Sequence, residues 1–323
     1  MIRLLYLFLL SSAIFSVGYL PNYFTKKPEP TLNVFVWGDF FPEETFHKFE
    51  KETGIKINPS YYTSNEELLL KLEKTDGKGY DLIFPSDYAV NILAQKKLLQ
   101  PLKPISAAER IDPALLKLPF DPKNTYSLPY LWEVYGLSEN VPLSHLFNGS
   151  RKVVMVQDPI EAFAIASHYL KDKIESPVEL LKHQKQFVEA YTDHRAHYLI
   201  ASSNPPLAIL RSSFFFKHID SLSQFYPPKD STFVTIENVA LSSACAHEEE
   251  AYKFIEFIYR PDIMALQVDK VPLFPACKDS LAFTTIPLSN RYYQLLDTLS
   301  IDDLYFFTLT TPRVRSLWIE VHS

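Results

Sequence analysis

The opening hundred residues switch repeatedly between two hydrophobic periods. Residues 32–37 (LNVFVW) alternate and then run apolar, which predicts a strand. Pro42 fits the first turn of a helix, with Glu43 and Glu44 favourable beside its N-terminus. Phe46 and Phe49 fall on one face of that helix, and Thr53-Gly54 stops it. Ile55 and Ile57 begin a second strand. Ser64, with Glu67 three residues on, makes a capping box ahead of a helix whose apolar face is Leu68, Leu69 and Leu72. Asp76-Gly77 breaks it. Residues 80–84 (YDLIF) predict a third strand, ended by Pro85, and a helix follows Ser86 to about Lys97. Three strand–helix repeats predict a parallel α/β arrangement.

Further on, strands are expected at 126–137, 151–157, 196–201 and 233–241. Asp158-Pro159 starts a helix through about Leu170, and another helix is expected over 177–191. After Ala246 the run HEEEAYKFIEFIYR is helical, with Phe254, Phe257 and Ile258 on its buried face. Pro261 restarts a second, shorter helix.

The N-terminus has a different character. Arg3 precedes residues 4–20, all apolar or small, which reads as a secretory signal over residues 1–20. Ser16-Val17-Gly18 supplies small residues for cleavage; the alternative is a retained anchor, slightly short for a membrane span. Export to the periplasm is therefore the expected destination.

Composition removes several function classes. A chain of 323 residues implies about two domains. A net charge of −6 without basic blocks argues against nucleic acid. Seven scattered glycines leave no dinucleotide fingerprint or phosphate loop, so no cofactor is expected. There is no GxSxG, HExxH or DxD-type motif, and the histidines do not fall at metal-ligand spacings. The chain therefore reads as a non-enzyme. Cys245 and Cys277 form no metal cluster, but their pairing as a disulfide is open in an oxidising compartment.

In open α/β sheets, ligands sit beyond the C-terminal ends of strands. Trp37, Asp39 and Phe40 follow the first predicted strand; Ser86, Asp87 and Tyr88 follow the third. Asp158 and Glu161 follow the strand at 151–157, and Glu237 lies near the last one. Carboxylates with aromatics beside them suit a cation with an apolar body. No histidine, lysine or arginine joins the set, so neutral or anionic ligands fit less well. Bland readings compete: Asp158-Pro159-Ile160-Glu161 is also a helix start, Ser86 and Asp39 could be caps, and Trp37 could be core.

Residues 32–102, from VWGDFFPEETFHKFEKETGIKINPSYYTSNEELLLKLE to GYDLIFPSDYAVNILAQKKLLQPL, are where the chain most resembles a known family. It resembles the periplasmic spermidine/putrescine-binding proteins of ABC importers. The similarity continues through SLPYLWEVYGLSEN, VVMVQDPIEAFAIA and EEEAYKFIEFIYRPDIMALQ. The resemblance implies a two-lobed, type II clamshell: lobe 1 from residues 30–136 plus 243–323, lobe 2 from 137–242. Hinge crossovers are expected near 133–140 and 238–246. It implies a polyamine ligand, an inner-membrane ABC permease as partner, and a monomer. Carried over residue by residue, Trp37, Asp39, Phe40, Ser86, Tyr88, Asp158, Glu161 and Glu237 are the implied ligand-binding set. Asp87 and Glu133 are candidates for additional negative charge.

The departures from the family pattern are specific. Gly38 replaces a hydroxyl residue, and Thr235 and the Ala201–Ser203 region stand where the family has tryptophans. Val271 replaces a tyrosine, and Glu237 is one methylene longer than the family's aspartate. These losses of aromatic packing keep two rivals open: a receptor for another small cation or amino acid, and an anchored interaction protein on the same scaffold.

Overall fold

The computed structural model describes residues 30–38, 40–170, 176–192, 195–218, 225–228, 232–285, 304–306 and 311–323. The proposed signal segment 1–20 and Asp39 lie outside the described residues. No helix among the described residues is long and apolar enough to cross a membrane.

The three predicted strand–helix units form as expected. Strand β1 (Thr31–Trp37) pairs in parallel with β2 (Lys56–Tyr62) and β3 (Leu82–Ile83). Helices α1 (Glu43–Thr53), α2 (Asn65–Thr75) and α3 (Asp87–Gln95) follow them. Helix α1 starts one residue later than the proline rule predicts. Pro42 occupies the N-cap position in extended conformation, and Gly54 closes the other end at φ 73°, donating to the Glu50 carbonyl. The capping box at α2 is offset: Ser64 Oγ accepts from Glu67 N, while Glu67 reaches back to Thr63 N at 2.9 Å.

Two long, fully buried strands carry the chain between its halves. Strand β4 (Ser127–Leu137) runs antiparallel to β8 (Thr232–Leu241). The strand order is β2-β1-β3-β8-β4, then β7 (Leu207–Arg211), β5 (Val153–Met155) and β6 (Val188–Tyr191), which puts one parallel group on each side of this central pair. On the far side, β5 pairs in parallel with β6 and β7. Strand β4 pairs with β8 up to Val134, then with β7 from Tyr135 to Leu137. Gly136, at this transfer, lies against Phe225: a Cβ there would come within 2.4 Å of the phenyl ring.

Expectation and structure diverge in the middle of the chain. Residues 177–191 divide into α5 (Pro177–Lys185) and β6, after α4 (Pro159–Tyr169). Residues 196–201, expected as a strand, hold the short helix α6 (Ala196–Ile200). The strand lies further on, at β7, followed by α7 (Ser212–His218). LAIL, the apolar part of β7, is too short and too uniformly buried to leave an alternation to read.

The C-terminal part returns to the first half and then leaves it. Helices α8 (Glu248–Ile258) and α9 (Pro261–Lys270) pack against α1, and Phe254 meets Phe49 edge-on at 5.0 Å. Buried Asp81 fixes the junction, accepting from the backbone of Asn33, Ala246 and His247 and from the His247 ring. Burial alone would raise its pKa, but these donors together hold it below the usual value. Strand β9 (Phe274–Pro275) pairs with β4. Strand β10 (Leu304–Phe306) pairs instead with the Thr232–Val234 end of β8, and α10 (Thr311–His322) packs on α4 and α5. Within the stretch 243–323, expected in lobe 1, the last helix lies against α4 and α5 of the other half.

The Cys245–Cys277 disulfide left open by the sequence is not formed in this structure. Both are free thiols. Cys245 lies beside Asp81, whereas Cys277 is buried near Tyr130 and Tyr259; burial pushes each thiol up to about 12.

Candidate functional site

The end of β3 and the middle of β8 meet at one backbone bridge, Ser86 to Glu237. Pro85 blocks continuation of β3, so the chain turns there into α3 and presents Ser86 and Tyr88. Glu237 therefore faces the end of β1 as well. Its Oε1 accepts from Ser86 Oγ and its Oε2 from Trp37 Nε1, both at 2.8 Å. Trp37 stays partly exposed and tilts against Tyr62 at 4.7 Å.

The same surroundings that bind Glu237 make its charge costly. Burial pushes its carboxyl up to about 7, and nearby Glu133 adds to the shift, while Ser86, Arg211 and Trp37 oppose it. Asp87, next to the bridge, is pushed up to about 8, first by burial and then by Glu237.

A second carboxylate site is joined to the first by Asn65. Its amide donates to Ser86 Oγ and to Tyr88 OH, each at 3.0 Å. Tyr88 in turn donates to Asp158 Oδ2 at 3.0 Å, linking the first half of the molecule to the second. Asp158 also caps α4, through Oδ1 to Ile160 N at 2.8 Å. Capping and a site role therefore coexist, because each function uses a different oxygen. Burial raises the Tyr88 hydroxyl well above its ordinary value, and the charges of Asp158 and Glu161 raise it further.

The third part of the cluster contains a cation. Arg211 ends β7 and sends Nη1 to Glu133 Oε1 at 3.2 Å and Nη2 to Glu161 Oε1 at 2.5 Å. Glu133 also accepts from Ser213 Oγ. Both acids are almost wholly buried, whereas the Arg211 side chain remains 21% exposed. Its guanidinium stands 5.7 Å from the Tyr135 ring centroid.

Trp37, Ser86, Tyr88, Asp158, Glu161 and Glu237 are thus brought together from four separate stretches of the fold. Phe40 is not with them. Its ring packs with Phe41, Phe84 and Tyr130, and its carbonyl accepts from Gln267, which makes it a core residue. Asp87 is present but inward: its oxygens accept from the backbone of Tyr88 and Ile236, tying α3 to β8. Glu133 is present too, already engaged by Arg211 and Ser213.

The expectation that no arginine enters the set is overturned by Arg211. The Ala201–Ser203 region, expected to replace a family tryptophan, lies exposed just beyond α6. The side chain β7 delivers to the cluster is Arg211. Thr235, the other replacement, is buried on β8 directly opposite Glu133. Asn65 was also missed. It reads in the sequence as the first helical residue after a cap, and no periodicity marks it as polar and buried.

An open groove of about 1040 Å³ lies elsewhere, between the 103–110 segment and α8. Its charges pair with one another, as in Lys103–Glu248 and Arg260–Glu52, so it lacks the one-sided charge of the carboxylate cluster.

Residues 44–140 match the family described as bacterial extracellular solute-binding protein. The chain is 28% identical over 256 residues to the spermidine/putrescine-binding periplasmic protein of Salmonella typhimurium, covering 72% of this chain and 74% of that protein. Among solved structures, it superposes on a spermidine/putrescine ABC transporter protein from Listeria monocytogenes with TM-score 0.76 at 24% identity, covering 90% and 98%. The apo ferric ion-binding protein A of Pasteurella haemolytica shares the fold too, with TM-score 0.68 at 16% identity and coverage of 90% and 98%. The fold is therefore that of the two-lobed substrate-binding proteins, and the ligand must be argued from the cluster itself.

Proposed function

We propose that this chain is the solute-binding receptor of an ABC importer, and that it captures a polyamine, spermidine or putrescine, between its two halves. One observation carries this reading. Where the halves meet, the carboxyl groups of Glu133, Asp158, Glu161 and Glu237 gather with a single guanidinium among the described residues of the cluster. Such an excess of buried negative charge is relieved by an ammonium group, and Trp37 offers an aromatic face for methylenes. The relatives named for spermidine and putrescine point the same way.

The two central strands support a hinge. In this reading lobe 1 comprises 30–136 with 243–285, and lobe 2 comprises 137–242 with the last helix. Bending at β4 and β8 would let Tyr88 meet and leave Asp158. The protein acts in the periplasm as a monomer, as a receptor and not an enzyme, and hands its ligand to a membrane permease.

Isothermal titration of the protein without residues 1–20, refolded to strip ligand, tests this reading. Heat and a thermal shift with putrescine or spermidine, absent with glutamate, are expected. A folded sample silent to both amines overturns the polyamine assignment.

A further inference from the structure

We propose that Arg211 is a built-in occupant of one ammonium subsite, so that the cleft takes a ligand presenting one cationic head group and a neutral far end. This inference rests on the cation-binding reading above and departs from it at one end, where a neutral group replaces the second ammonium. Two carboxylate regions are available where the halves meet. One is formed by Glu237, Ser86 and Trp37, continued through Asn65 and Tyr88 to Asp158. The other is formed by Glu161 and Glu133, and there a guanidinium already stands at 2.5 Å and 3.2 Å from the two carboxylates. An incoming ammonium at that end would meet Arg211 first, since the guanidinium is the partly exposed member and both acids are almost wholly buried. Arginine keeps its charge at every physiological pH, so the obstruction is permanent.

Among the described residues, no cation is hydrogen-bonded to the acids of the first region. Its donors are the neutral Trp37, Ser86, Asn65 and Tyr88, and each acid there keeps lone pairs for a further donor. A chain with one ammonium pairs with Glu237 or with Asp158 and leaves a neutral tail beside Arg211. An amide carbonyl on that tail can accept from the guanidinium, whereas a second ammonium cannot.

The test compares putrescine with N-acetylputrescine, which has the same chain but one charge, by titration calorimetry. The full mature protein and Arg211→Gln are both measured, with Arg211→Lys as a second variant that keeps the charge. The unmodified protein is expected to bind N-acetylputrescine at least as tightly as putrescine. Arg211→Gln is expected to shift the ratio at least tenfold toward putrescine, and Arg211→Lys to shift it far less. A preference for putrescine in the unmodified protein overturns the inference without needing either variant. So does a ratio that Arg211→Gln leaves unchanged. Both outcomes leave the polyamine reading standing, whereas binding of neither amine by any of the proteins removes both readings.

Discussion

Trp37 and Glu237 are 200 residues apart in the chain, yet the indole N–H donates to the carboxylate at 2.8 Å. The contact joins the end of β1 to the middle of β8, and it aims an acid at the region where the two halves meet. Glu237→Gln removes the charge while keeping the shape. It should weaken polyamine binding about tenfold or more, since charge-assisted bonds are roughly twice as strong as neutral ones. Trp37→Phe keeps an aromatic face and removes one donor; a loss of about severalfold is expected. Titration calorimetry on both variants checks the pair, and an unchanged affinity in Glu237→Gln removes that residue from the site.

Tyr88 and Asp158 join the two halves through a hydrogen bond that one substitution removes. Tyr88→Phe deletes the hydroxyl that donates to Asp158 and accepts from Asn65. The ring remains packed, so the fold should survive with a cost of about 1 kcal/mol. If the halves move relative to each other, the bond holds the ligand-bound arrangement, and its loss should appear mainly as faster ligand release. Stopped-flow dissociation measures this. An unchanged release rate would show that the bond plays no part in retention.

Gly136 has no room for a side chain. A Cβ there would lie 2.4 Å from one Phe225 ring atom and 2.6 Å from another, both part of a rigid ring. Gly136→Ala should therefore destabilise the protein by about 1–3 kcal/mol. Shrinking the opposing ring in Gly136→Ala/Phe225→Leu should recover part of that loss. Thermal unfolding of the two single variants and the double variant tests the coupling; strict additivity would mean the two residues do not oppose each other.

The first half of the fold was legible because its signals are local. Periods, caps and Pro85 all act within a few residues, and β1 to α3 follow them. Asp158 and Glu161 were legible because they follow a strand, the position where open α/β sheets present polar side chains to a cleft. Arg211 was not legible: it ends a short buried strand with no alternation, and only the parallel pairing of β7 with β5 brings it beside Glu161. Phe40 erred in the opposite direction. Proximity to Trp37 in the chain suggested the cleft, but the turn after β1 drives its ring into the core among Phe41, Phe84 and Tyr130. A reading of residue types by order alone cannot distinguish these two fates.

Protonation should couple binding and stability in opposite senses. Burial raises Glu237 to about 7, so below that pH the folded, ligand-free protein holds a proton that the unfolded chain would release. Asp87, raised to about 8, behaves likewise. In the unfolded chain both carboxyls titrate near 4. Between roughly pH 4 and 8 the native state therefore binds more protons than the unfolded one, and stability falls as pH rises across that window. Ammonium binding follows the reverse course, because it pairs with the charged form of Glu237. Affinity should rise by up to about tenfold per pH unit below 7 and level off above it, with proton release on binding near neutrality. Calorimetry in two buffers of different ionisation enthalpy counts those protons, and unfolding of the ligand-free protein at several pH values gives the slope. Glu237→Gln should flatten the rise in affinity and part of the stability slope, while Asp87→Asn should reduce the stability slope at its upper end. A polyamine affinity independent of pH between 5.5 and 8, checked to about 0.5 pH units, would show that Glu237 does not hold the ammonium.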